Sequence, residues 1–130
     1  LAPFSTIGLI PDGGATWLLA RRLGYHRAYQ LCVEAERIPA DRCLAMGLVN
    51  RVVATDTLLS ETLAWAGELA ERAPLALART KRAMRQAMSL SFGDTVALEA
   101  ALQNECATSA DTREGVQAFL EKRKPRFEGR

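Results

Sequence analysis

Apolar positions in the second part of this chain recur at helical spacing. Leu59, Leu63, Ala66 and Ala70 share one face of a helix running from about Asp56 to Arg72, and Leu58, Trp65 and Leu69 widen that face. Pro74 suits the first turn of the next helix, on which Leu77, Thr80, Met84 and Met88 align while Arg79, Arg82 and Arg85 take other azimuths. Leu98, Ala101, Leu102 and Cys106 stay in register over a third helix from about Asp94 to Thr108. A last helix opens on Asp111-Thr-Arg-Glu114, the spacing of a capping box with Asp in the capping position. Its apolar stripe is Val116, Phe119 and Leu120, and Pro125 ends it.

The first part reads differently. Residues 1–12 have the pattern of a strand followed by a loop, because Phe4, Thr6 and Ile7 favour extended backbone and Gly8 and Pro11 break the run. Gly13-Gly14 opens a helix over Ala15 to Leu23, stopped by Gly24, and a second helix is expected from Tyr25 to Glu36. Pro39 starts a short helix, Ala40 to Met46, closed by Gly47. Leu48, Val49, Val52 and Val53 form a β-prone run with the look of an edge strand. The change from this mixed region to long helices places a boundary near residue 54. No internal repeat or low-complexity segment interrupts either part.

Composition narrows the class. The chain has 130 residues, 48% of them hydrophobic and 25% charged, which fits a globular protein and excludes a disordered or collagenous one. No apolar run approaches the roughly 20 residues of a membrane span, so no membrane partner is expected. A net charge of +2, with the Arg residues scattered, gives no footprint for nucleic acid. Cys32, Cys43 and Cys106 have neither metal-ligand nor disulfide spacing, and His26 is the single histidine. They read as small buried residues in a reducing compartment, and no metal is expected. The chain opens at Leu1 rather than Met, inside an apolar segment, so it is expected to be part of something longer.

The densest chemical signal is Ile7-Gly-Leu-Ile-Pro-Asp-Gly-Gly14. A rigid loop would fix the direction of the Asp12 carboxylate, and the glycines after it allow a ligand to approach closely. The helix N-terminus behind Asp12 favours its anion, whereas apolar neighbours such as Ile10 and Trp17 would push its pKa up toward that of a general base. A plainer role stands beside this one, with Asp12 simply capping the helix at 15–23. The loop matches neither G-x-G-x-x-G nor a P-loop.

Five blocks, in order, resemble the enoyl-CoA hydratase/isomerase (crotonase) family. They are Phe4-Ser-Thr-Ile-Gly-Leu-Ile-Pro-Asp-Gly-Gly-Ala-Thr-Trp-Leu-Leu19, with Arg22-Leu-Gly-Tyr-His-Arg-Ala28 after it; Glu36-Arg-Ile-Pro-Ala40; Ala45-Met-Gly-Leu-Val-Asn-Arg-Val-Val53; Ala73-Pro-Leu-Ala76 with Thr80-Lys81; and Asp111-Thr-Arg-Glu-Gly-Val-Gln-Ala-Phe-Leu-Glu-Lys-Arg-Lys-Pro-Arg-Phe127. The resemblance implies an α/β crotonase-like fold overall, of which this chain is the mainly α C-terminal half with one or two short strands. Residues 1–54 would end the crotonase core (strand, Asp/Gly loop, helices), and residues 55–130 would be the helical oligomerisation region. The missing half would hold the oxyanion hole, so the chain alone is expected to be inactive.

The resemblance also implies roles. Hydratases of the family carry their second Glu four residues before the glycine that matches Gly8, where this chain has Phe4. Members of the isomerase type carry an Asp four residues after it, where this chain has Asp12. The expected reaction is therefore double-bond isomerisation of an acyl-CoA through an enolate, with Asp12 as acid and base. The alternatives are an enoyl-CoA hydratase or a non-catalytic oligomerisation fragment. Ile10, Pro11, Gly13 and Trp17 would line the substrate pocket, although Trp17 equally suits core packing. Phe119 and Lys122 match positions that reach the CoA nucleotide, although a core Phe and a solvated Lys in a basic tail are their ordinary readings. No cofactor is expected, since coenzyme A is part of the substrate. A homotrimer or hexamer in the cytoplasm is the expected setting, in fatty acid metabolism.

Overall fold

The computed structural model describes residues 3–130. Among them it contains a 3-10 helix, Pro3–Ile7, and seven α-helices: α1 Ala15–Leu23, α2 Tyr25–Glu34, α3 Ala40–Ala45, α4 Leu58–Ala70, α5 Pro74–Ala87, α6 Phe92–Ala107 and α7 Ala110–Leu120. The chain divides into two compact units, Leu1–Thr57 and Leu58–Arg130. Leu1 itself lies outside the described residues.

Two expectations need correction. The one or two short strands are absent among the described residues. The segment around Phe4, Thr6 and Ile7 is the 3-10 helix instead. Thr6 Oγ1 donates to the Pro3 carbonyl at 2.6 Å and Leu9 N–H to Phe4 O at 2.9 Å, so local bonds satisfy this backbone as a tight coil. The run Leu48–Val53 is likewise no strand. β-branched residues favour extended backbone, but a strand exists only when paired with another, and no strand is present among the described residues.

In the first unit, α1 and α2 meet across the tight joint at Gly24 and pack together, with the 3-10 helix against α2. Ala28 and Leu31 of α2 are buried there, and Ser5 Oγ donates to the Val33 carbonyl at 3.0 Å. Gly47 closes α3 with a Schellman turn, in which Leu48 N–H reaches Cys43 O and Gly47 N–H reaches Leu44 O.

In the second unit, α5 packs on α6 and α6 on α7, around buried Leu102 and Ala118. Arg79 of α5 forms an ion pair with Glu105 of α6. Both later helices start on serine caps. Ser91 Oγ accepts the Asp94 N–H at 3.2 Å, and Ser109 Oγ accepts the Thr112 N–H at 3.1 Å. The capping box read at Asp111–Glu114 is therefore corrected. Ser109 caps α7, which frees both carboxylates for other partners.

Candidate active site

The first-unit residues singled out in the sequence converge on one loop. Gly8 ends the 3-10 helix with φ 76°. The chain then runs through Leu9, Ile10, Pro11 and Asp12 to Gly13 and Gly14, whose φ values are 60° and 85°. Two consecutive left-handed residues turn the chain into α1, and any residue with a Cβ is strained there. Packing is not the reason for these glycines, since a Cβ at either would meet no atom within 4 Å.

Asp12 is exposed, and its backbone carbonyl accepts the Ala15 N–H at 3.0 Å. Its side chain does not cap α1, because the capping position is Gly14 and no side chain bonds there. The plainer role is thus removed, and the carboxylate has no hydrogen-bond or ion-pair partner among the described residues. Ile10 beside it is 80% exposed, Pro11 is half-buried and Gly13 is exposed. Trp17, in the first turn of α1, is 45% exposed, with the Arg21 guanidinium 3.9 Å from its ring centroid. It is not a buried core residue of this unit.

Phe119 and Lys122 belong to the second unit, at the end of α7. Phe119 is 81% exposed, so it is no core residue there. Lys122 has φ 54° and forms the left-handed corner of a Schellman turn, where Lys122 N–H reaches Phe119 O and Arg123 N–H reaches Ala118 O. Glycine would fill this corner without strain, as Gly47 does after α3. The turn projects Lys122 while Arg123 is held back against α7.

Arg123 makes two hydrogen bonds to Glu114, of 2.6 and 2.9 Å, and one to Glu121 of 2.6 Å. The Arg123 guanidinium, with the Arg126 N–H next in weight, holds the Glu114 carboxyl down at about 2. Gln117 and then Arg123 lower Glu121, and the two carboxylates raise Arg123. Sequence reasoning missed this cluster. Its acidic signal, the Asp111/Glu114 spacing, reads in the sequence as a capping box.

Among the described residues no group of three His, Cys, Asp or Glu side chains is placed to hold a metal ion. No helix among them is long and apolar enough to cross a membrane.

The family model described as enoyl-CoA hydratase/isomerase matches residues 1–130. The chain is 44% identical, over 127 residues, to a "Probable enoyl-CoA hydratase" of Rhodobacter capsulatus, covering 98% of this chain and 49% of that protein. It is 38% identical to the 1,2-epoxyphenylacetyl-CoA isomerase of Escherichia coli, covering 98% of this chain and 48% of that protein. Among solved structures, an enoyl-CoA hydratase from Polaromonas sp. JS666 superposes with a TM-score of 0.92 at 40% identity, covering 97% of this chain and 49% of the other. The chain spans about half the length of the curated relatives it matches.

Proposed function

Because this chain belongs to the enoyl-CoA hydratase/isomerase family, we propose that the protein carrying it moves the double bond of an enoyl-CoA, with Asp12 as the acid and base. The observation that carries this reading is the state of Asp12. Its carboxylate stands on a loop set by glycines, exposed, neither capping a helix nor paired with a cation. Neither role takes up the carboxylate, which leaves it able to meet a substrate proton.

In the proposed reaction, Asp12 removes an allylic proton from the bound thioester and becomes a carboxylic acid. The electron pair delocalises as an enolate, whose charge is met by donors outside this chain. Asp12 then returns the proton two carbons away, and the double bond has moved with no net change in atoms. Ile10, Pro11, Gly13 and Trp17 would border the acyl chain. Phe119 and Lys122 would take the nucleotide end of coenzyme A, the ring against adenine and the ammonium beside phosphate. The protein would work as a homotrimer or hexamer.

A second reading, hydration of the double bond, is supported by the hydratase names of several relatives. Phe4 weighs against it, because an aromatic ring cannot activate water as a second carboxylate does.

The test is Asp12→Asn in the full-length protein. Isomerisation of a 3-enoyl-CoA is expected to fall by at least about a hundredfold, the usual lower range for a general base. Unchanged turnover overturns the role of Asp12. Water addition to a 2-enoyl-CoA by the unaltered protein, without isomerisation, would establish the second reading.

A further inference from the structure

After Arg123 the chain doubles back along α7, and two acidic side chains of that helix grip it. Glu114 Oε1 accepts the Arg126 backbone N–H at 2.7 Å. Asp111, one turn earlier, is 4% exposed, and its two oxygens accept the backbone N–H groups of Glu128 at 2.7 Å and Gly129 at 2.9 Å. Its own N–H donates to the Arg130 carbonyl at 3.0 Å. A carboxylate this buried is costly unless satisfied, and the Glu128 and Gly129 N–H groups of the tail satisfy one oxygen each.

Phe127 lies between the two grips. Its ring rests on Gly115, where an added Cβ would stand 3.5 Å from the ring edge. With Ala73, Leu75, Ala76, Cys106 and Val116 it walls an apolar groove of about 280 Å³. Gly129, at φ 80°, passes beside Pro74 at the start of α5.

These grips are hydrogen bonds from main-chain N–H groups to two carboxylates, and water can replace each one as the segment lifts. The cost of exposing Asp111 is therefore met by hydration, and α7 keeps its own cap at Ser109. We propose that Lys124–Arg130 is a strap that opens and closes as a unit, with Asp111 as its clasp and Phe127 as the cover of the Cys106 groove. Arg123, anchored on Glu114, is the fixed root. The strap acts independently of the proton chemistry assigned to Asp12.

Backbone hydrogen exchange on the intact protein tests this, with alkylation of Cys106 by iodoacetamide followed by peptide mapping as the second readout. The amides of Arg126, Glu128 and Gly129 are expected to exchange with one shared protection, well below that of the α7 interior. Asp111→Asn keeps one acceptor but turns an amide N–H toward a tail donor. It is expected to speed exchange at Glu128 and Gly129 at least tenfold, leave α7 protected, and quicken Cys106 alkylation severalfold. Phe127→Ala, which spares the helix cap, is expected to quicken alkylation while Glu128 and Gly129 stay protected. Tail amides that exchange only together with those of α7, or Cys106 alkylation unchanged in both variants, would overturn the strap.

Discussion

Glu114 shows how much one side chain can be assigned by its neighbours. Its spacing from Asp111 read as a helix cap, yet the structure gives it Arg123 and the Arg126 N–H. A hydrogen bond cannot be read from spacing when two acceptors, Ser109 and Asp111, both stand near a helix start and only one meets the free N–H groups. The Glu114 carboxyl, lowered from 4.5 to about 2, stabilises the folded state only while ionised. Its contribution is complete above pH 4.5, the unfolded value, and fades as the pH falls toward 2. We expect the denaturation midpoint of Glu114→Gln to lose part of the pH dependence that the unaltered protein shows in that window. Superimposable pH profiles for the two proteins would contradict the assignment. Asp12 is the opposite case. The sequence places it on a glycine loop, and the folded structure leaves it capping nothing.

At the scale of elements, the helices were largely legible and the strands were not. α1 has the bounds its glycines marked, and α5 begins at Pro74, because Gly and Pro act through φ and a missing N–H at their own positions. Strand expectations at Phe4–Ile7 and Leu48–Val53 failed because a strand is a property of two segments. The start of α7 rests on a single side chain and offers a direct check. Ser109→Ala removes the acceptor for Thr112 N–H and should cost about 1 kcal/mol in unfolding free energy. Asp111→Ala in the same assay should also disturb the tail, so the two variants are expected to differ in tail-amide protection.

For the whole molecule the decisive quantity is surface. This 14.2 kDa chain exposes 10076 Å². Two separate compact domains of half that mass would together expose roughly 8,000 Å². The excess in the sum holds whatever the arrangement of the two units. Ala28, Leu31, Leu102 and Ala118 are the buried apolar residues described, whereas Leu59, Leu63 and Phe92 are 72%, 62% and 86% exposed. The apolar stripe of α4 has the helical period it promised, but it lies largely open. Surface of this kind is normally covered by other protein. The 130-residue chain produced by itself should therefore self-associate in sedimentation experiments. A clean monomer with a cooperative calorimetric melt would show that the exposed stripes are tolerated.

The sequence by itself determined the helices, their caps at glycine and proline, the family and the position of the one acidic residue on the glycine loop. These depend on backbone angles and on residues near one another in the chain. The tertiary structure decided which carboxylates are occupied, where the tail lies and which apolar faces stay uncovered. Each of those is a contest among groups far apart in sequence for the same donor or the same surface, and periodicity holds no record of its outcome.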